Sequence, residues 1–202
     1  MSARPRRRRQ EDRSAATRLQ LIEATISSLI DRGYARTTTV EICRRAGVTR
    51  GALLHHFEDL ADVFAATLLH VYERLRASAD ARDEKPVSGR ALVDGLWAHF
   101  SRPEYKAVIE LWLAARNEPE LRKAIEPAIL QIRDLADPRL NPRLAKRLGR
   151  SAAAVSLYRL TLESMIGMAL GRAVTPGKGE LGHEARIVAL LRKLAREILD
   201  DP

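Results

Sequence analysis

Thr38-Thr39-Val40-Glu41-Ile42-Cys43-Arg44-Arg45-Ala46-Gly47-Val48-Thr49-Arg50-Gly51-Ala52-Leu53-Leu54-His55-His56-Phe57 is the stretch whose spacing decides the architecture. Threonine at 38 and glutamate at 41 have the spacing of a capping box, which opens a helix. Gly47 after Ala46 closes that helix, because only glycine takes the φ > 0 conformation of a tight turn without strain. Thr49 then caps a second short helix running from Arg50 to about Phe57. Two short helices joined this way let the second enter a DNA major groove while the first braces it. Val40, Ile42, Ala46, Val48, Leu53 and Phe57 are expected to form a small core with a preceding helix. Arg50, Ala52, Leu54 and His55 then face outward. Thr38 and Thr49 also leave hydroxyls and free N–H groups at helix N-termini, a setting that favours phosphate.

Outward from this stretch the pattern stays helical. Upstream, Ala15, Leu19, Ile22, Ile26, Leu29 and Ile30 recur at three- and four-residue steps, with Ser14 as N-cap and Gly33 as terminator. Downstream, Asp59 caps a long amphipathic helix through Val63, Leu68, Val71 and Leu75, and the polar stretch from Ala77 to Gly89 with Pro86 reads as a hinge. Five further helices follow over about 88–100, 103–116, 119–136, 151–173 and 181–199. Pro127 interrupts the third. Asp137-Pro138 and Asn141-Pro142 mark a loop holding a short helical turn near 144–148, and Thr175-Pro176-Gly177-Lys178-Gly179 marks a turn. The fold class expected is all-α. The division is a disordered basic arm over 1–13, a helix-turn-helix domain over 14–60, and a larger helical domain over 61–202.

Composition narrows the function. The 202-residue chain carries a net charge of +9, which points to nucleic acid, an anionic membrane or an acidic partner. Arg4, Arg6, Arg7, Arg8 and Arg9 precede any acidic residue. That block reads either as an arm for nucleic acid or as a solvated tail. No long uncharged apolar run suggests a membrane span, and no secretory signal is visible, so a membrane partner is not expected. Cys43 is the only cysteine, which rules out an intramolecular disulfide and makes a reducing cytoplasm the default location.

With Gly33-Tyr34-Ala35-Arg36-Thr37 ahead of it, the opening stretch closely resembles the N-terminal module of the Tet repressor (TetR) family. The resemblance spans about residues 14 to 75, and the later helix order is compatible with it. It implies a two-domain homodimer of roughly nine helices, in which the last two helices of each chain make a four-helix bundle. The C-terminal domain would bind a small effector, separating the DNA-reading heads and releasing a double-stranded operator. Position by position, Thr38 and Thr39 match the start of the bracing helix, which touches phosphates. Thr49, Arg50, Gly51 and Ala52 match the start of the recognition helix, and His55 and His56 match its end. Two departures stand out, since the family often has a tyrosine where this chain has Leu54 and a lysine where it has Leu60. Both usual residues contact phosphate, and neither leucine can. The DNA-facing set is therefore Thr38, Thr39, Arg45, Thr49, Arg50, Gly51, Ala52, Leu54, His55 and His56, joined by Arg6, Arg7, Arg8 and Arg9.

Other residues admit two readings. His55 and His56 could suggest metal, but adjacent helical histidines diverge by about 100°, no third ligand lies nearby, and no metal or cofactor is expected. Cys43 is either a core thiol or a redox switch. Phe64, Leu68, Trp97, Phe100, Trp112, Tyr158 and Met165, with Tyr105 and Met168, either line an effector pocket or fill the core. Glu110, Glu163 and Arg116 either orient a polar effector or form exposed salt bridges. Ala152, Val155, Leu162, Ile166 and Ala169 form one apolar stripe, with Leu160, Met165 and Leu170 on other sides. Ile187, Leu190, Leu191, Leu194 and Ile198 form another. Helices apolar on several sides need covering on several sides, by a second copy or by deep burial. No nucleophile–base pair, paired carboxylates or metal-ligand spacing suggests an enzyme.

Overall fold

The computed structural model describes residues 4–80, 86–149, 151–175 and 181–200, and side chains from residue 10 to residue 74 and again from residue 86 onward within those spans. Among them are ten α-helices, one short 3-10 turn and no strand. The helices are α1 (Arg4–Arg32), α2 (Thr39–Ala46), α3 (Arg50–His56), α4 (Leu60–Asp80), α5 (Gly89–Phe100), α6 (Tyr105–Ala115), α7 (Pro119–Ala136), α8 (Pro142–Leu148), α9 (Ala152–Val174) and α10 (Glu184–Leu199), with the 3-10 turn at Tyr34–Arg36. Their caps follow the side chains. Ser88, Asn141 and Ser151 accept from the backbone N–H groups of Ala91, Leu144 and Ala154. Asp59 accepts from Asp62 N–H at 2.8 Å while the Asp62 carboxylate reaches back to Glu58 N–H, so the start of α4 is capped reciprocally.

The chain forms two compact units. The first comprises residues up to Val71 together with Glu110–Ala128, and the second comprises Tyr72–Ile109 and residues from Ile129 onward. Their division therefore falls inside α4, α6 and α7, whereas the functional boundary read from the sequence lies after residue 60.

In the first unit α1 packs against α2, α3 and the 3-10 turn. Leu21, Ile22, Ile26, Leu29, Ile42, Leu53, Phe57, Val63, Phe64 and Leu68 are all buried. Burying each of these large side chains stabilises the fold by roughly 1.5–3 kcal/mol. Three expectations are corrected. The first helix begins at Arg4, within the segment expected to be a disordered arm, because residues 4–13 contain no glycine and Pro5 sits in the first turn, where it is tolerated. Leu19 is 46% exposed while Leu21 is fully buried, so the inward face of α1 runs through Leu21, Thr25 and Ser28 rather than Ala15 and Leu19. Thr25 can be buried there because its hydroxyl donates to the Leu21 carbonyl. Val40 is 74% exposed and lies outside the small core, since α2 turns Ile42 and Cys43 inward instead.

In the second unit α5, α9 and α10 pack on one another. Gly89 explains how closely α5 approaches α10: a Cβ at that position would lie 2.3 Å from the Ala195 carbonyl, and the Gly89 N–H donates to Asp200. Asp137, almost fully buried, accepts from Arg139 and pairs with Arg159 at 2.9 Å, which ties the loop before α8 to α9. The buried face of α9 is Ala154, Leu157, Tyr158, Thr161, Leu162, Met165, Met168 and Ala169. This corrects the stripe expected through Ala152, which is exposed.

Candidate nucleic-acid interface

The helix-turn-helix is built locally. Thr38 caps α2 by accepting from Glu41 N–H, and Thr49 caps α3 by accepting from Ala52 N–H at 3.2 Å. Between them Gly47 takes the left-handed conformation, φ 66° and ψ 30°, and its N–H donates to the Cys43 carbonyl. Only half of the expected capping box forms at Thr38. The Glu41 carboxylate turns away and accepts from Arg44 and Arg45, with Arg32 of α1 at 3.1 Å. The Arg44 and Arg45 hydrogen bonds hold this carboxyl well below its usual range, at about 2.

Leu53 and Phe57 point into the core, as their spacing implied, leaving Arg50, Gly51, Leu54 and His55 exposed on α3. Thr49 is exposed beside them, and Ala52 and His56 are half-buried. The Arg18 guanidinium lies 4.9 Å over the Phe57 ring and closes the end of α3 against α1. Burial, then the neighbouring His55 and Arg18 charges, push the His56 pKa down. Thr38 is exposed and Thr39 half-buried at the start of α2, on the N-terminal side where free N–H groups face outward.

Arg45 stands apart from the other expected DNA-facing residues. Its guanidinium donates to Glu41, to Ser27 at 2.6 Å and to Asp31 at 2.7 Å, and its side chain is only 16% exposed. It therefore braces α2 against α1, with its Nε and Nη1 donors turned to Glu41, Ser27 and Asp31. Signs of this were present in the sequence as Asp31, in the last turn of α1, but its pairing with residue 45 is set by tertiary approach. The side chains of Arg6, Arg7, Arg8 and Arg9 lie outside the described residues.

Residues 21–67 match the family model for bacterial regulatory proteins of the tetR family. The HTH-type transcriptional regulator CymR of Pseudomonas putida is 29% identical over 171 residues, covering 82% of this chain and 84% of CymR. Over residues 21–67 the chain carries the helix-turn-helix module of the TetR family. An uncharacterised HTH-type transcriptional regulator of Mycobacterium tuberculosis is 32% identical over 130 residues, and the match takes in 61% of this chain and 66% of the relative. The chain thus spans just under two thirds of that mycobacterial protein. Among solved structures, a transcriptional regulator of Rhodococcus sp. Rha1 shares the fold with a TM-score of 0.69 at 19% identity, covering 89% of this chain and 96% of that one.

The candidate effector residues are distributed over both units. Phe64 and Leu68 are buried in the first, where Trp112 is half-buried. Phe100, Tyr158 and Met165 are buried in the second, where burial pushes the Tyr158 hydroxyl up to about 12. Trp97 of the second unit lines a cleft of about 350 Å³ with Arg172, Glu184, Ala185, Val188 and Arg192. The Arg172 guanidinium lies 5.6 Å over its ring. Sequence reasoning missed these charged cleft residues, because their signal is pairing between distant elements, Arg172 with Glu184 and Arg192 with Asp94, that spacing does not carry. Glu110 is placed at neither of its expected tasks: its carboxylate accepts from the Tyr34 N–H at 2.9 Å. Cys43 is buried, and burial raises its thiol pKa, which fits the core reading. No group of three or more potential metal ligands occurs among the described residues, and no helix there is long and apolar enough to cross a membrane.

Proposed function

We propose that this chain is a sequence-specific DNA-binding transcriptional regulator, working as a homodimer on a pseudo-palindromic operator and released from it by a small-molecule effector. The observation that carries the DNA reading is the exposed α3 face. Arg50, Gly51, Leu54 and His55 share one side of a short helix whose start is capped by Thr49 and whose opposite side is anchored by Leu53 and Phe57. Residues at a recognition helix's N-terminus enter the groove first, so Arg50 is assigned base edges and Thr38, Thr39 and Thr49 phosphates. The arginines 6 to 9 follow the backbone or a minor groove in this reading.

The homodimer reading is supported by α9 and α10. Leu160 and Leu170 on α9 and Leu190 on α10 remain 51%, 41% and 58% exposed. Gly167 faces outward between the two α9 leucines, and a Cβ there would meet nothing within 4 Å. A large leucine face with a glycine at its centre suits close approach of a second helix pair, and two-fold assembly implies two half-sites. Release by an effector is supported by the match of residues 21–67 to the tetR family and by the helical domain beyond residue 60. It makes this a repressor whose ligand and operator oppose each other's binding by the same factor.

Selection of binding sites from random-sequence duplexes tests the reading. Enrichment of an inverted repeat with half-sites about one helical turn apart, or a multiple of it, is expected. Recovery of sequences with no shared motif contradicts it.

A further inference from the structure

The turn that joins α1 to α2 lacks a cap of its own. The 3-10 turn Tyr34–Arg36 begins after Gly33, which has no side chain and so makes no side-chain cap to it. The oxygen that caps the turn comes instead from a residue 76 positions away in sequence: Glu110 of α6 accepts from the Tyr34 N–H at 2.9 Å in a part-buried setting. Gly33 leaves room for it. A Cβ on Gly33, whose φ is 74°, would sit 3.1 Å from the same Glu110 oxygen.

The rest of the turn is held just as closely. Thr37, 2% exposed, donates to the Gly33 carbonyl at 2.8 Å, and its hydroxyl lies 3.0 Å from that of buried Ser28. The Tyr34 ring packs against Phe64 with centroids 5.4 Å apart. Thr38 follows immediately and caps α2. Whatever fixes the turn therefore fixes the entry of α2, and with it α3 through Gly47. Glu110 is the one charged group among these contacts, and it rides on a helix whose Tyr105, Ala107, Val108, Ile109 and Leu111 are all buried.

We propose that Glu110 is a positioning residue of the DNA-reading module: by capping the α1–α2 turn it holds α2 and α3 in the operator-binding orientation. This rests on the DNA reading given above. Glu110 itself touches no DNA in this account. It acts through the Tyr34 N–H, and the required property is an acceptor oxygen at that distance rather than a negative charge.

The test compares Glu110→Ala, Glu110→Gln and Glu110→Asp with wild type, as the full chain, on the operator recovered by selection and on random DNA. A hydrogen bond from a backbone N–H to a carboxylate is strong enough that its loss is expected to weaken operator binding roughly tenfold. Glu110→Ala should show that loss with random-DNA affinity unchanged, and Glu110→Gln, which keeps an acceptor oxygen, should restore the operator affinity. Amide exchange at Tyr34 in the free protein should be slow in wild type and Glu110→Gln and fast in Glu110→Ala. If Glu110→Ala does not fold, Glu110→Asp takes its place, because it keeps the charge but withdraws the oxygen, and it should bind the operator more weakly than Glu110→Gln. An unchanged operator-to-random ratio, equal losses on both DNAs, or a Gln variant as weak as Ala or Asp overturns the proposal. A wild-type protein that prefers no sequence overturns the DNA reading itself, whereas Tyr34 exchange that ignores residue 110 overturns only the cap.

Discussion

Gly47 and Gly51 sit in neighbouring elements of the helix-turn-helix, and replacing each with alanine is expected to shift stability in opposite directions. At Gly47 an added Cβ meets nothing within 4 Å, so no steric clash contributes. The cost is backbone strain alone, because φ 66° and ψ 30° lie in the left-handed region, which disfavours an L side chain by about 1–2 kcal/mol. At Gly51 the backbone is helical and the nearest atom to an added Cβ is Thr49 Oγ1 at 3.8 Å, an ordinary contact. There alanine removes the helix penalty of glycine and stabilises by roughly 0.5–1 kcal/mol. For a chain of this length 1 kcal/mol moves Tm by about 2–4 °C. Thermal unfolding followed by far-UV circular dichroism should therefore show Gly47→Ala melting about 2–8 °C lower and Gly51→Ala about 1–4 °C higher. Function should separate from stability at Gly51, since the new methyl points out of the exposed α3 face. If DNA approaches the backbone there, crowding of about 1–3 kcal/mol weakens operator binding although the fold is firmer. A neutral or stabilising Gly47→Ala refutes the left-handed turn. A stabilised Gly51→Ala that binds the operator like wild type refutes the close approach at α3.

Operator affinity is expected to rise as pH falls from about 8 to 6. His56 has its free-state pKa pushed down by burial, His55 and Arg18, and phosphate in the complex favours the protonated form, so binding takes up protons; affinities measured against pH should flatten in His56→Gln. The Glu41 carboxyl, held at about 2 against an ordinary 4.5, contributes stability present above pH 4.5 and lost as pH falls towards 2. Glu41→Gln should show a shallower acid unfolding curve. Charge placed on the exposed α9 and α10 leucines, as in Leu160→Glu with Leu190→Glu, is expected to turn a dimer into a folded monomer by light scattering. Deleting residues 1–12 should weaken DNA binding and flatten its dependence on log salt by about 0.9 for each phosphate the arginines neutralise; equal slopes for both proteins would leave residues 6–9 without a DNA role.

Local chemistry made much of this molecule legible in the sequence. Thr38, Thr49, Asp59 and Asn141-Pro142 punctuate helices through their own side chains and the next few N–H groups, and Gly47 fixes its turn by itself. The span of α7, Pro119–Ala136, could be read from its flanking prolines. Contacts between distant elements were not legible. The periodicity of α2 gave no sign that Val40 would be left in solvent, although Cys43 could be read as a core thiol. Arg45 looked like a free cation because Asp31 and Ser27 come within its reach only when α1 and α2 pack. Glu110 reads as a surface carboxylate until Tyr34 is brought beside it. The helix α9 is apolar on several sides, so spacing could not select the face through Leu157, Thr161 and Met165 that the chain buries for itself.

Sequence-specific DNA recognition through α3 is checked by the ratio of operator to random-DNA affinity at fixed physiological salt, measured for wild type and Arg50→Ala. Wild type is expected to prefer its operator by a factor on the order of 10³ or more. Arg50→Ala should lose about 1–3 kcal/mol on the operator and relax preference at one base position, while its random-DNA affinity stays close to wild type. Equal wild-type affinity for operator and random DNA, or an Arg50→Ala ratio identical to wild type, would contradict it.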